Sequence, residues 1–218
     1  MKPRFSNQRN HALTLVEVLV VIVVVGVLAT GLLLGISEMK RETSHINCFE
    51  TLKCIGLAYK FWAGDHDDKY PMFVSVTNGG AMEAIAAGNV AACFQVMSNE
   101  LNTPKLLICP KDADRIAATN FTSDFNNSKI SYFVGLNTNT NSPQVFLSGD
   151  DNFAIGGVPV KSGLLEFSTN ASVTWTTTRH KFGGNIGFVD GNVQGMSSET
   201  LQEALQKNGG FTNRLAIP

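Results

Sequence analysis

Charge is what this chain has least of. Only 16% of its 218 residues are Asp, Glu, Lys or Arg, against about 25% in soluble domains generally. The formal net charge of −1 excludes both a polycationic surface built for nucleic acid and a polyacidic solvating tail. Polarity is carried instead by 19 Asn, 17 Thr and 15 Ser, and with 44% apolar residues the chain is not mainly disordered. Other absences narrow the chemistry. The acidic run Asp65-His66-Asp67-Asp68 has no Gly and distal Glu at calcium-loop spacing, so it reads as a solvated turn. Four cysteines, Cys48, Cys54, Cys93 and Cys109, fit no familiar zinc spacing. No Ser or Cys nucleophile motif is present to make a hydrolase. No metal, cofactor or catalytic residue is expected.

Acid is also missing from the first 12 residues, which carry Lys2, Arg4 and Arg9 and read as a basic leader kept in the cytoplasm. Residues 13–36 follow, 18 of these 24 being apolar. As a helix they would span roughly 36 Å, enough to cross a hydrocarbon core of about 30 Å. The run is longer than the apolar region of a signal peptide, which holds about 7 to 15 residues. It also contains Glu17. An ionised group in such a run costs roughly 3 kcal/mol on insertion scales, so it needs a partner or a function.

The stretch Ala12-Leu13-Thr14-Leu15-Val16-Glu17, with its basic leader and apolar run, resembles the type IV prepilin cleavage and methylation signal. Ala12 stands where that signal usually has Gly, and Leu13 where it usually has Phe. The resemblance implies that a prepilin peptidase cuts between Ala12 and Leu13 and that the Leu13 amine is N-methylated. Removing three basic groups and no acid takes the net charge from −1 to −4. Glu17 then lies four residues from a new ammonium group, on the same helical face. It can pair with that amine in its own chain or in a neighbouring subunit, which fixes axial register between helices.

From Ser37 to Ala63 the charges return but helical periodicity persists, with Cys48, Leu52, Ile55, Tyr59 and Trp62 at spacings of 4, 3, 4 and 3. This predicts one helix from Leu13 to about Ala63-Gly64, its second half lying on a globular head. The segment from Leu52 through Gly64-Asp65 to Tyr70-Pro71 is similar to the helix end and turn of pseudopilins of type II secretion. The expected fold is α+β and pilin-like: leader 1–12, apolar helix 13–36, extramembrane helix 37–63 and an α+β head 64–218 with an antiparallel sheet.

Within the head, residues 81–100 predict one or two short helices around Gly88, and short apolar stretches beyond Pro110 predict strands. Asp190-Gly191 between Ile186–Val189 and Asn192-Val193 is the clearest hairpin signal. A last helix follows Ser198 with Leu201, Ala204 and Leu205 inward. His180, nine residues, then Asp190-Gly191 resembles a motif near the C-terminus of one group of prepilin-type proteins. A chemical reading would make His180 a base and Asp190 its orienter; a structural turn is the preferred one. All four cysteines fall on the exported side, where disulfides are allowed. Cys48 and Cys54 lie about 9 Å apart in rise on one helix, too far to bridge. Cys93 with Cys109 is the pair expected first, although Cys48 also faces the head.

The expectation is a non-enzymatic filament subunit, a pilin or pseudopilin. Its partners would be copies of itself and related subunits, the prepilin peptidase, an inner-membrane assembly platform, and lipid before assembly. Nucleic acid is not expected. The chain would be a single-pass bacterial inner-membrane protein with its head in the periplasm, and would become part of a periplasmic or extracellular filament. The alternative is a membrane-tethered ligand-binding protein that never polymerises.

Overall fold

The computed structural model describes residues 15–137, 144–207 and 212–218, and the side chains of all these except 31–47. Helix α1 runs Leu15–Gly64. The chain divides into two units, Met1–Thr43 and Ser44–Pro218.

In the first unit α1 is apolar on every side. Leu15, Val16, Val18 to Val25, Val27 and Leu28 are all between 46% and 81% exposed. Thr30 donates its hydroxyl to the carbonyls of Gly26 and Val27, at 3.2 and 2.8 Å, which keeps the hydroxyl satisfied without water. Among the described residues no helix is long and apolar enough to cross a membrane. Residues 31–36 of the apolar run lie outside those whose side chains are described, and the leader and the Ala12–Leu13 bond lie outside the described residues altogether.

In the second unit α1 is one-sided. Cys48, Leu52, Ile55, Tyr59 and Trp62 are buried, as their spacing predicts, while Leu57 and Phe61 on the other side are exposed. The helix ends at Gly64, but that glycine does not make the left-handed turn. Asp67 and Asp68 do, at φ +55° and +56°, and the Asp68 amide closes the end by donating to the Ala63 carbonyl at 3.0 Å. His66 stacks on Trp62, its ring 3.6 Å away, so the acidic run is a capped turn.

Three short helices follow: α2 (Met82–Ala86), α3 (Val90–Val96) and α4 (Ser98–Leu101). Gly88, at φ +84°, separates the first two. The second stretch, expected as one helix at most, breaks again at Met97. The strands are β1 (Tyr132–Gly135), β2 (Phe146–Asp150), β3 (Phe153–Ile155), β4 (Val158–Pro159), β5 (Gly163–Ser168), β6 (Val173–Trp175), β7 (Gly183–Phe188) and β8 (Val193–Ser197). Helix α5 (Ser198–Lys207) and strand β9 (Thr212–Ile217) complete the chain. The main sheet has the order β5-β9-β1-β2-β7-β8 with every pairing antiparallel, and β4-β3-β6 form a second, smaller sheet.

Both faces of the main sheet are covered. Tyr132, Val134, Leu147 and Ala216 join the core formed by α1 and the short helices. Their neighbours Phe133, Phe146, Leu215 and Ile217 face the other way, into a core with Trp175, Leu201 and Leu205 from the small sheet and α5. Side chains alternate along a strand, so one strand feeds two cores. Within β7, a Cβ added at Gly184 would overlap the Trp175 ring. Gly184→Ala is therefore expected to cost about 1–3 kcal/mol in overpacking, read from urea denaturation of the detergent-solubilised full chain.

Candidate functional site

Four segments meet at the end of the main sheet. Cys48 comes from α1, Cys109 from the loop after the 3-10 turn Pro104–Leu107, Asp150 from the last position of β2, and His180 from the turn leading into β7. Cys48 Sγ lies 2.9 Å from Cys109 Sγ, and Cys109 Sγ lies 3.2 Å from His180 Nε2. The same Nε2 is 3.4 Å from Asp150 Oδ2, and neither of those side chains is exposed. Asp150 Oδ2 also accepts from the Asn185 amide at 2.8 Å and its Nδ2 at 3.0 Å.

The backbone that places His180 is strained. His180, Lys181 and Phe182 have φ of +45°, +47° and +66°, three consecutive left-handed residues with no glycine, each costing roughly 1–2 kcal/mol. The turn puts the imidazole inside while Phe182 stays 63% exposed. Strain of this kind persists only where the surroundings over-determine it.

A charged network adjoins the cluster. Arg179 Nη2 pairs with Asp151 Oδ1 and lies 3.4 Å from Asp112 Oδ2, while its Nη1 donates to the Ser131 carbonyl at 3.1 Å. Arg115 Nη1 reaches Asp151 at 2.8 Å and Asp112 at 3.3 Å. The Ser131 hydroxyl donates to Asp112 at 2.7 Å. Burial pushes the Asp151 carboxyl up, and the two guanidinium groups only partly offset it. Burial acts downward on Arg179, but Asp151, Asp112 and Asp150 outweigh it and hold its pKa above the usual value.

For His180 burial again acts downward, and the hydrogen bonds to Asp150 and Cys109 outweigh it, raising the imidazole to about 9. The Cys109 thiol is pushed far up, first by its hydrogen bond with Cys48 and then by burial, against the lowering effect of His180. A thiol held protonated and fully buried is a poor nucleophile. Asp150 and Cys109 also share one ring nitrogen, whereas a nucleophile–base–acid relay uses both.

Among the described residues, Cys48, Cys109 and His180 form the group able to hold a metal ion, their ligand atoms all lying within 4.8 Å of one another.

At the far end of β7, Asp190 and Gly191 do not contact His180. The Asp190 carbonyl accepts from Lys60 Nζ of α1 at 2.6 Å, and its carboxylate accepts from the Asn192 amide at 2.8 Å. Gly191 sits at φ +90°, where a Cβ would meet Lys60 Nζ at 2.7 Å. The motif thus reaches α1 at two points, near Cys48 through Cys109 and directly at Lys60, about 18 Å apart along the helix.

Cys109 lies against Cys48 and not against Cys93, the partner expected first, and all four thiols are free in this structure. Cys93 is carried by α3 into the core beside the Tyr59 hydroxyl, 3.4 Å away. Cys54 is exposed. Glu17 lies exposed in the first turn of α1.

The prokaryotic N-terminal methylation motif matches residues 7–33. The match spans the Ala12–Leu13 bond and Glu17, so over these residues the chain is similar to the N-termini of type IV prepilins, the segment that a prepilin peptidase cuts. No curated protein and no solved structure matches it. The motif ends well before Cys48, so the chemistry of the head is read from the head alone.

Asp112, Asp150, Asp151, Arg115 and Arg179 belong to the site although sequence reasoning does not find them. Their one signal is adjacency: Asp150-Asp151 ends an apolar strand, and Arg179 precedes His180 in a chain poor in charge.

His180 has a folded pKa above its ordinary value of 6.5, so its contribution to stability is complete below about pH 6.5 and lost as pH rises through about 9. Unfolding free energy should fall over that window by on the order of 2 kcal/mol, and Asp150→Asn should flatten the fall in a denaturation series from pH 6 to 10. Arg179→Ala leaves two buried carboxylates with Arg115 alone and should cost about 3–5 kcal/mol, whereas Arg179→Met with Asp151→Asn should recover part of it in the same assay.

Proposed function

We propose that the chain is a structural subunit of a type IV pilus or a type II secretion-like filament, cut between Ala12 and Leu13, N-methylated on Leu13 and assembled through α1. The observation that carries this reading is the methylation motif over residues 7–33. The character of α1 within it supports the reading. A helix exposed and apolar on every side must be covered by lipid or by other helices, and Leu15 to Leu28 offer water nothing but Glu17.

Before assembly the helix is held in the inner membrane with the head in the periplasm. In the filament the same surface packs against neighbouring copies and related pilins or pseudopilins. Glu17 meets the methylated Leu13 ammonium of the next subunit, so the two opposite charges neutralise one another in a low-dielectric core and set the axial step. The assembly platform and the prepilin peptidase are the other partners. No catalytic role is proposed for the head: among its described residues the cysteine beside His180, Cys109, is wholly buried.

Intact mass and N-terminal sequencing of the chain from its own membranes should show loss of residues 1–12 and a methylated Leu13. Glu17→Ala should still be inserted and cleaved but yield at least tenfold fewer filaments by electron microscopy. An intact Met1 would favour the tethered, non-polymerising protein instead.

A further inference from the structure

We infer that Cys48 and Cys109 form a disulfide that bonds α1 covalently to the head. Both thiols are wholly buried, and their sulfurs lie 2.9 Å apart across a sequence separation of 61. That contact is closer than two sulfurs hold to one metal ion. A tetrahedral zinc with bonds of about 2.3 Å sets its thiolates about 3.8 Å apart and calls for a fourth ligand, while among the described residues the mutually close ligand atoms are those of Cys48, Cys109 and His180, and Asp150 meets the His180 Nε2 that a metal would need. The other two thiols sit elsewhere: Cys93 meets a tyrosine hydroxyl and Cys54 is exposed.

The reaction is thiol–disulfide exchange with an oxidised dithiol oxidoreductase of the compartment that receives the head, made as the head folds and before its core closes over the two thiols. The two thiols lose two protons and two electrons as the Sγ–Sγ bond forms. The acceptor's disulfide takes up both and leaves as a dithiol. The oxidising compartment rests on the topology proposed above; the sulfur contact does not.

The place of the bond gives it a purpose. Cys48 is the most N-terminal buried side chain described on α1, so the bond sits where the helix would begin to peel from the head under load. Lys60, held at Asp190, secures the other end.

The test is peptide mass mapping of the full chain from its own membranes, alkylated without reduction, with zinc measured on the same sample. The expected result is one linked peptide pair containing Cys48 and Cys109, free alkylated Cys54 and Cys93, and no zinc. Reduction should lower the melting temperature by about 10 °C, the size expected for closing a loop of this length, and Cys48→Ser with Cys109→Ser should abolish that shift while Cys93→Ser leaves it intact. Alkylated Cys48 and Cys109 in a chain with methylated Leu13 would overturn the bond alone. The same thiols free in an unprocessed chain would overturn the filament reading as well. One equivalent of zinc with both thiols free would replace the bond by a metal site.

Discussion

Cys48, Leu52, Ile55, Tyr59 and Trp62 set five apolar groups along one side of α1, and covering them takes a surface about 20 Å long that nothing local to the helix supplies. The head is organised around this requirement. The short helices α2 to α4 and one face of the main sheet close over the stripe and bury each of its five members. Once that face of the sheet is committed, the alternation of side chains leaves Phe133, Phe146, Ile186 and Leu215 on the opposite face, and they need a cover of their own. The small sheet and α5 provide it.

The His180 to Gly191 segment gains its meaning from the same requirement. Its middle is β7, buried between β2 and β8, and its two ends are the places where the sheet is tied to α1. At one end His180 packs on Cys109, which meets Cys48. At the other the Asp190 carbonyl takes the Lys60 ammonium, and Gly191 is needed because its φ of +90° is one that L side chains rarely adopt. Nine residues between the two fixed points are what a six-residue strand and its flanking turns require. The spacing is therefore a measure of distance along the helix, with no contact between His180 and Asp190.

Periodicity and turn chemistry make much of this legible in the sequence. The α1 stripe, the Asp190-Gly191 hairpin and α5 are each set by residues close together along the chain. Strand β9 is not legible, since Thr212-Asn213-Arg214 begins it with polar groups, and only its place between β5 and β1 makes it a central strand. Strands β3 and β4 are too short for alternation to register. The neighbour of Cys109 is hidden for a related reason: a spacing of 61 says nothing until α1 is laid on the sheet, which sets Cys48 against Cys109 and leaves Cys93 beside the Tyr59 hydroxyl. The N-terminal motif is the opposite case, because its information lies wholly in local sequence and a match over residues 7–33 suffices to read it.

The buried charges at the sheet end obey a rule of their own. Asp112, Asp150 and Asp151 bring three carboxylates into a space that Arg115 and Arg179 answer with two guanidinium groups. With the imidazole neutral, one negative charge would remain uncompensated in surroundings where isolated charge is costly. With His180 protonated the centre is neutral, and its affinity for a proton rises despite burial through its hydrogen bonds to Asp150 and Cys109. The strained left-handed turn at residues 180–182 is the geometric counterpart. It drives an otherwise exposed loop residue inward to the one position where its charge completes the set, beside the two sulfurs that join helix to head.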